Sequence, residues 1–129
     1  MPDVELVTVT YLRSVLPTGT VVATEWPASV AQHLPVVAVS LGGGGSRQRA
    51  VTVDRTVDID VLAATKAQAR QLAADVSAHL IAAAGTAQPG ARIYGVEETS
   101  VVWLPYEPSA ETDPIPRYVL VMSMVVRPA

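Results

Sequence analysis

The sequence predicts an α+β protein in which a single mixed, mostly antiparallel β-sheet is covered by one long helix plus an N-terminal helix. Three observations support this class. Residues 51–61 alternate apolar and polar side chains, residues 66–84 have apolar side chains at helical spacing, and Val and Ala dominate a chain that lacks Phe. With 129 residues, 50% of them hydrophobic, we expect one domain that spans residues 1–129 and buries a sizeable core.

The first helix is predicted over Asp3 to Leu16, with Asp3 as N-cap and Pro17 as the stop. Its apolar residues recur at helical spacing: Val4, Val7, Tyr11, Leu12 and Val15. The many β-branched residues in this segment favour a strand instead, so both alternatives stay open at the level of sequence. A short strand is expected from Thr20 to about Glu25, and a fully apolar strand from Leu34 to Leu41.

The clearest strand covers Val51 to Val61. One face carries Val51, Val53, Val57, Ile59 and Val61, interrupted only by Arg55, and the other carries Thr52, Asp54, Thr56, Asp58 and Asp60. This alternation predicts one buried face and one face in water. Because Gly42 to Gly45 separate this strand from the one before it, the two strands predict a long hairpin.

The best helix signal covers Lys66 to about Ala84. Thr65 and Gln68 match a capping box, and Gly85 stands where a helix commonly ends. The apolar stripe is rich in small residues and comprises Ala69, Leu72, Ala73, Val76, Leu80 and Ala83. Such a stripe can lie close against a sheet.

Two further strands are predicted near the end of the chain. Arg92 to Leu104 has a weak middle at Glu97-Glu98, where we expect a bulge or an exposed edge. Tyr118 to Val126 is apolar on both faces, which is typical of a central strand. The proline-rich segment between them, Pro105 to Pro116, is predicted to be a loop.

Few residues suggest chemistry. The absence of Cys excludes disulfides, thiolate zinc sites and cysteine nucleophiles. His33 and His79 have no carboxylate at ligand spacing, and a partly buried structural role is favoured for His79. Asp54, Asp58 and Asp60 share one strand face and suggest a metal site or paired carboxylates, but a solvated strand face is the favoured interpretation. We therefore expect no enzyme, no cofactor and no metal site.

Charge and hydropathy argue against nucleic acids and membranes as partners of this chain. Nine Lys and Arg against twelve Asp and Glu give a net charge of −3, which is not the basic footprint of a nucleic-acid binder. The longest uncharged run, Trp26 to Ser46, contains Pro27, Pro35 and four consecutive glycines. A membrane-spanning helix would not carry these residues together, so no membrane partner is expected. The glycines also lead into a strand, which argues against a phosphate-binding loop.

Eight short segments, each present once, follow one another along the chain in a particular order and spacing. They are Asp3 to Val7, Tyr11 to Arg13, Leu34 to Val37, Arg47, Val57 to Val61, Thr65 to Ala69, Val101 to Pro105 and Pro116 to Tyr118. In order and spacing the set resembles the tail terminator proteins of long-tailed bacteriophages, especially the short forms of actinobacterial phages and prophages. The resemblance spans nearly the whole chain. The uninterrupted run of four glycines departs from it, because it loosens a hairpin tip.

The resemblance implies a structural protein of the virion, assembled in the host cytoplasm and located at the head-proximal end of the tail. Six copies would form a homo-hexameric ring that caps the tube of major tail tube protein, stops its polymerisation and offers a surface to the head-tail connector protein. DNA would pass through the lumen without specific binding. The alternatives are another neck or head-completion protein, and a small α+β domain that binds a ligand or metal through the three aspartates.

Five charged residues are predicted to serve assembly. Arg47 and Arg49 flank the glycine run, and we expect them to meet acidic groups of a neighbouring subunit or of the tube. Glu107, Glu111 and Asp113, called the loop acids below, make the proline-stiffened loop wholly acidic. Because long loops of this kind are usually functional or disordered, we expect a docking loop there.

Overall fold

A computed structural model of the protein describes residues 3–42, 53–109 and 111–128. Within these ranges the elements are α1 (Val4–Val15), β1 (Val21–Ala23), a 3₁₀ turn (Val30–Gln32), β2 (Val36–Leu41), β3 (Val53–Leu62), α2 (Lys66–Ala82), β4 (Ala87–Gln88), β5 (Ala91–Trp103) and β6 (Arg117–Pro128). The described strands form one sheet in the order β1-β2-β3-β6-β5-β4. Among the described strands, β1 and β2 pair in parallel and the other pairs are antiparallel. The predicted α+β class and mixed, mostly antiparallel sheet are confirmed.

Helix α1 forms where the sequence supplies a cap and a stop. The Asp3 carboxylate accepts a hydrogen bond from the backbone N–H of Leu6 at 3.1 Å, and the helix ends at Leu16, just before Pro17. The Tyr11 hydroxyl donates to the backbone carbonyl of His79 at 2.7 Å, which ties α1 to α2. The helical prediction is therefore confirmed, and the strand alternative is wrong because the cap and the apolar stripe outweigh β-propensity.

Helix α2 follows the predicted signals closely. The Thr65 hydroxyl accepts from the N–H of Gln68 at 3.1 Å. Beyond the helix, Gly85 adopts φ +84°, a left-handed conformation that suits glycine, and its N–H donates to the carbonyl of Ile93 at 2.8 Å. Ala69 and Ala73 are buried on the helix face that packs against the sheet, so the small side chains let the helix approach closely.

Both helices cover the same face of the sheet, and the hydrophobic core lies between the helices and that face. The inward side chains of the two central strands are fully buried: Val57, Ile59, Val61, Leu120, Met122, Met124 and Val126. The alternation predicted for β3 and the central position predicted for β6 are confirmed, since β6 lies between β3 and β5. The antiparallel pairing of β2 with β3 also confirms the predicted hairpin strands. The tip of that hairpin, from Gly43 to Thr52, lies outside the described residues.

The structure differs from the sequence prediction in three places. The strand predicted from Thr20 to Glu25 is limited to β1, since Val21–Ala23 are the residues that pair with β2. The short strand β4 was not predicted, because two residues carry no periodic signal. Finally, Tyr106 and Ile115 exchange two backbone hydrogen bonds of 2.9 and 2.7 Å, so Pro105 to Pro116 is not wholly without secondary structure.

Candidate functional site

The sheet face opposite the helices, called the open face, carries Asp54, Asp58 and Asp60, and Asp60 has a structural partner there. Its carboxylate accepts a hydrogen bond from the indole N–H of Trp26 at 3.0 Å and lies 4.0 Å from the guanidinium of Arg117. That guanidinium also lies 5.5 Å from the ring centre of Trp26. Asp60 therefore holds Trp26, and with it residues 24–35, against one end of the open face.

The same end of the open face has a small apolar core of its own. Val30, Val36, Leu62 and Ile115 are buried there, with Trp26 and Tyr106 packed edge to face beside them at a ring separation of 4.7 Å. Arg117, Asp60 and the two rings are called the clamp below. The clamp fixes the base of the Pro105 to Pro116 segment on the sheet.

The remaining candidates for chemistry are not brought together. Among the described residues, no group of three or more His, Asp or Glu side chains is placed to hold a metal ion. His33 is exposed, whereas His79 is partly buried on α2. In the part of the chain that the structure describes, no helix is long and apolar enough to cross a bilayer.

The outer edge of β5 is the most distinctive surface. Strand β4 pairs only with Ala91 and Arg92, and the carbonyl and N–H of Ile93 bond to Gly85 and Thr86. From Tyr94 to Trp103, β5 has β6 on one side and no further described strand on the other. Such an edge presents unpaired backbone groups and can add another chain.

Most of this edge is protected against pairing. The register with β6 shifts between Glu98 and Ser100, which marks a bulge, and Glu97, Glu98 and Thr99 are all exposed. The Ser77 hydroxyl donates to the Glu98 carboxylate at 2.7 Å, which turns this acid toward α2. A bulge and charges are common devices that keep edge strands from aggregating. The bulge or exposed edge predicted at Glu97-Glu98 is confirmed.

The C-terminal end of this edge differs from the protected part, because four consecutive large apolar residues are exposed there. The exposed fractions are 44% for Val101, 49% for Val102, 37% for Trp103 and 51% for Leu104. We call this stretch the apolar edge. A contiguous exposed apolar stretch is unusual on a soluble protein and commonly marks a contact surface.

The apolar edge is held in place by its neighbours. The Trp103 ring lies 5.1 Å from that of Tyr118, and the Lys66 ammonium lies 4.5 Å from the Trp103 ring centre. The N–H of Leu104 donates to the carbonyl of Arg117 at 3.0 Å, and the Leu104 carbonyl accepts from the Arg117 side chain at 2.8 Å. These contacts hold the apolar edge in a defined conformation.

The residues predicted for assembly fall into two groups. Arg47 and Arg49 lie outside the described residues. The loop acids are exposed, and they lie beyond the Tyr106–Ile115 bridge, close in sequence to the apolar edge. The sequence prediction did not single out the apolar edge itself, although the run Val-Val-Trp-Leu was visible at the end of a predicted strand.

These surfaces, and not a similarity to known proteins, define the candidate site. No protein-family model matches the sequence, and the curated proteins yield no match either.

Proposed function

We propose that this chain is a tail terminator of a long-tailed bacteriophage. In this proposal it acts as a structural component of the virion, in which a hexameric ring caps the head-proximal end of the tail tube. The ring stops tube polymerisation and provides the surface for head-tail joining. The resemblance of the chain's ordered segments to that family supports the proposal, and the chain acts without catalysis or a cofactor.

The apolar edge is the structural observation that carries the proposal. A ring subunit needs a rigid apolar surface at the margin of its fold, where a second copy can reach it. Val101, Val102, Trp103 and Leu104 supply such a surface at the free side of the sheet.

The open face suits the lumen of such a ring. Asp54, Asp58 and Glu97 lie on this face. Asp58 stands between the buried Val57 and Ile59, and Asp54 lies four residues before it on the same side of β3. Glu97 pairs with Ser123 of β6, and Ser123 pairs with Thr56 on that side of β3. Carboxylates repel the phosphates of a passing DNA, so a face with these acids would let the DNA slide without binding it.

Light scattering of the purified protein tests whether the apolar edge drives assembly. We expect a species of about 81 kDa, six times the chain mass of 13.5 kDa, which shifts toward the monomer in the variant Trp103→Ser. The matched control is Leu6→Ser, since Leu6 is 55% exposed on α1 and far in sequence from the edge. A wild-type protein that stays monomeric at high concentration and leaves tail tubes uncapped would contradict the proposal. A ring that forms but does not bind tail tubes would instead indicate a neck or head-completion protein.

A further inference from the structure

A groove of about 480 Å³ lies on the helix-covered side of the sheet, between α2 and the segments near β1. Its walls are the turn 17–20, residues 34–35, the β3–α2 connection 63–64, and the α2 side chains Leu72 and Asp75. Most of these side chains are apolar or small. The volume falls in the range of about 300–1,000 Å³ found for pockets that enclose drug-sized molecules. An indole ring would fit within it.

We infer that this groove receives the apolar edge of the next copy of the chain in the ring. This inference rests on the proposed function, because it names the partner of the apolar edge within that assembly. It is carried by the position of the two surfaces and by their charges.

The groove and the apolar edge lie at the same end of the sheet but on opposite flanks of α2. Val61 pairs with Tyr118, and Tyr118 pairs with Trp103, so the end of β3 beside the groove is level with the apolar edge. The groove lies toward β1 and β2, while the apolar edge lies on β5 at the far side of the strand order. A contact between the edge of one copy and the groove of the next is therefore head to tail. It offsets neighbouring copies along the direction in which the strands follow one another in the sheet. Head-to-tail contacts of this kind close into a ring when the rotation permits.

The two surfaces come from different parts of the chain. The apolar edge is exposed at the end of β5, where Trp103 packs on Tyr118 and the N–H of Leu104 is bonded to Arg117. The groove is a concavity with walls from separate segments of the chain. Because the edge and the groove lie on opposite flanks of α2, they cannot contact each other within one chain. A second copy of the chain can bring the two surfaces together.

The charges of the two surfaces are complementary. The apolar edge carries the Lys66 ammonium directly over its Trp103 ring. The groove carries the Asp75 carboxylate, which accepts a hydrogen bond from the Gln71 amide at 2.9 Å, and the Gln68 amide beside it. A docked edge would bring a cation to a groove whose charged lining group is a carboxylate. This arrangement favours the head-to-tail contact over an edge-to-edge contact, which would place two copies of Lys66 together.

Cysteine crosslinking tests the contact, because the chain has no Cys of its own. We expect the double variant Leu104→Cys with Ala64→Cys to give, under oxidation, a ladder of crosslinked species up to the hexamer on a denaturing gel. Disulfides form only when the two Cα atoms come within about 7 Å, so the ladder reports a direct contact. The control is Leu6→Cys with Ala64→Cys, in which the first thiol is equally exposed but lies on α1. It should give no ladder.

Charge reversal gives a second and independent measurement. Lys66→Glu alone and Asp75→Lys alone should each lower the fraction of hexamer at least tenfold at low salt, and the two changes together in one chain should restore it. Far-ultraviolet circular dichroism checks that each variant is folded. Crosslinked dimers from Leu104→Cys alone, or a hexamer that is unchanged in both single charge variants, would overturn the groove as the docking site while leaving the ring proposal intact. A wild-type chain that forms no ring at all would overturn the proposed function as well.

Discussion

The role assigned to Asp60 makes a specific prediction about stability. In Asp60→Ala the indole N–H of Trp26 loses an ionised acceptor at 3.0 Å in a partly buried setting. Hydrogen bonds to charged groups contribute about 1.5–3 kcal/mol, and the Arg117 pair at 4.0 Å adds less than about 1 kcal/mol because such contacts are screened by solvent. The Asp60 side chain is 28% exposed, which keeps the expected loss at the lower end, about 2 kcal/mol.

Urea unfolding followed by circular dichroism measures this loss. With a slope of about 2 kcal/mol per molar urea, the midpoint of Asp60→Ala should fall by about 1 M with an unchanged slope. The matched control is Asp58→Ala, two residues earlier on the same face, for which we expect a change of less than about 0.5 kcal/mol.

A double-mutant cycle with Trp26→Phe assigns the loss to the hydrogen bond. We expect a coupling free energy of at least about 1 kcal/mol between Asp60→Ala and Trp26→Phe. Equal losses for Asp60→Ala and Asp58→Ala, together with a coupling below about 0.5 kcal/mol, would refute the clamp. The metal-binding alternative predicts a different result: divalent ions would stabilise the wild type against unfolding, and Asp58→Ala would abolish that stabilisation.

The remaining predictions concern the core and the two charged segments. Leu80→Ala should lower the free energy of unfolding by about 2–5 kcal/mol, because Leu80 is fully buried. Ile81→Ala is the control and should lower it by less than about 1 kcal/mol, because Ile81 is 47% exposed. Equal losses in urea unfolding would contradict the assigned helix face. Replacing the loop acids with Gln or Asn should leave the fold intact and impair assembly, which tail length and head joining measure separately. Normal tails without heads would place the loop on the connector side, overlong tails would place it on the tube side, and normal virions would show that it is only a surface connection. Arg47→Glu with Arg49→Glu should weaken ring or tube association while circular dichroism stays unchanged, and unchanged association at physiological salt would favour a solvated hairpin tip.

The helices and the central strands could be predicted from the sequence because their signals are local. Asp3 and Thr65 each cap a helix through a backbone N–H three residues away. Strand β3 shows its buried face through simple alternation, and β6 shows its central position through apolar residues on both faces. In each case the physical cause lies within one element.

The clamp and the groove could not be predicted, because they depend on segments that are far apart in the chain. Trp26 and Asp60 are separated by 34 residues, and only the pairing of β2 with β3 brings them together. The alternation in sequence therefore predicts a solvated row of aspartates, whereas in the structure Asp60 accepts a hydrogen bond from Trp26. The groove has walls from separate segments, none of which has a distinctive pattern alone.

Electron microscopy of tail tubes polymerised with this protein measures whether the chain terminates them. The tail-terminator proposal predicts that a cognate major tail tube protein assembles into shorter tubes in the presence of the chain, each with a six-fold ring at one end. Trp103→Ser, which removes the ring at the centre of the apolar edge, should restore long tubes without a terminal ring, whereas Leu6→Ser should behave as the wild type. Tubes of unchanged length, with no added density at either end, would contradict the assignment of this chain as a tail terminator.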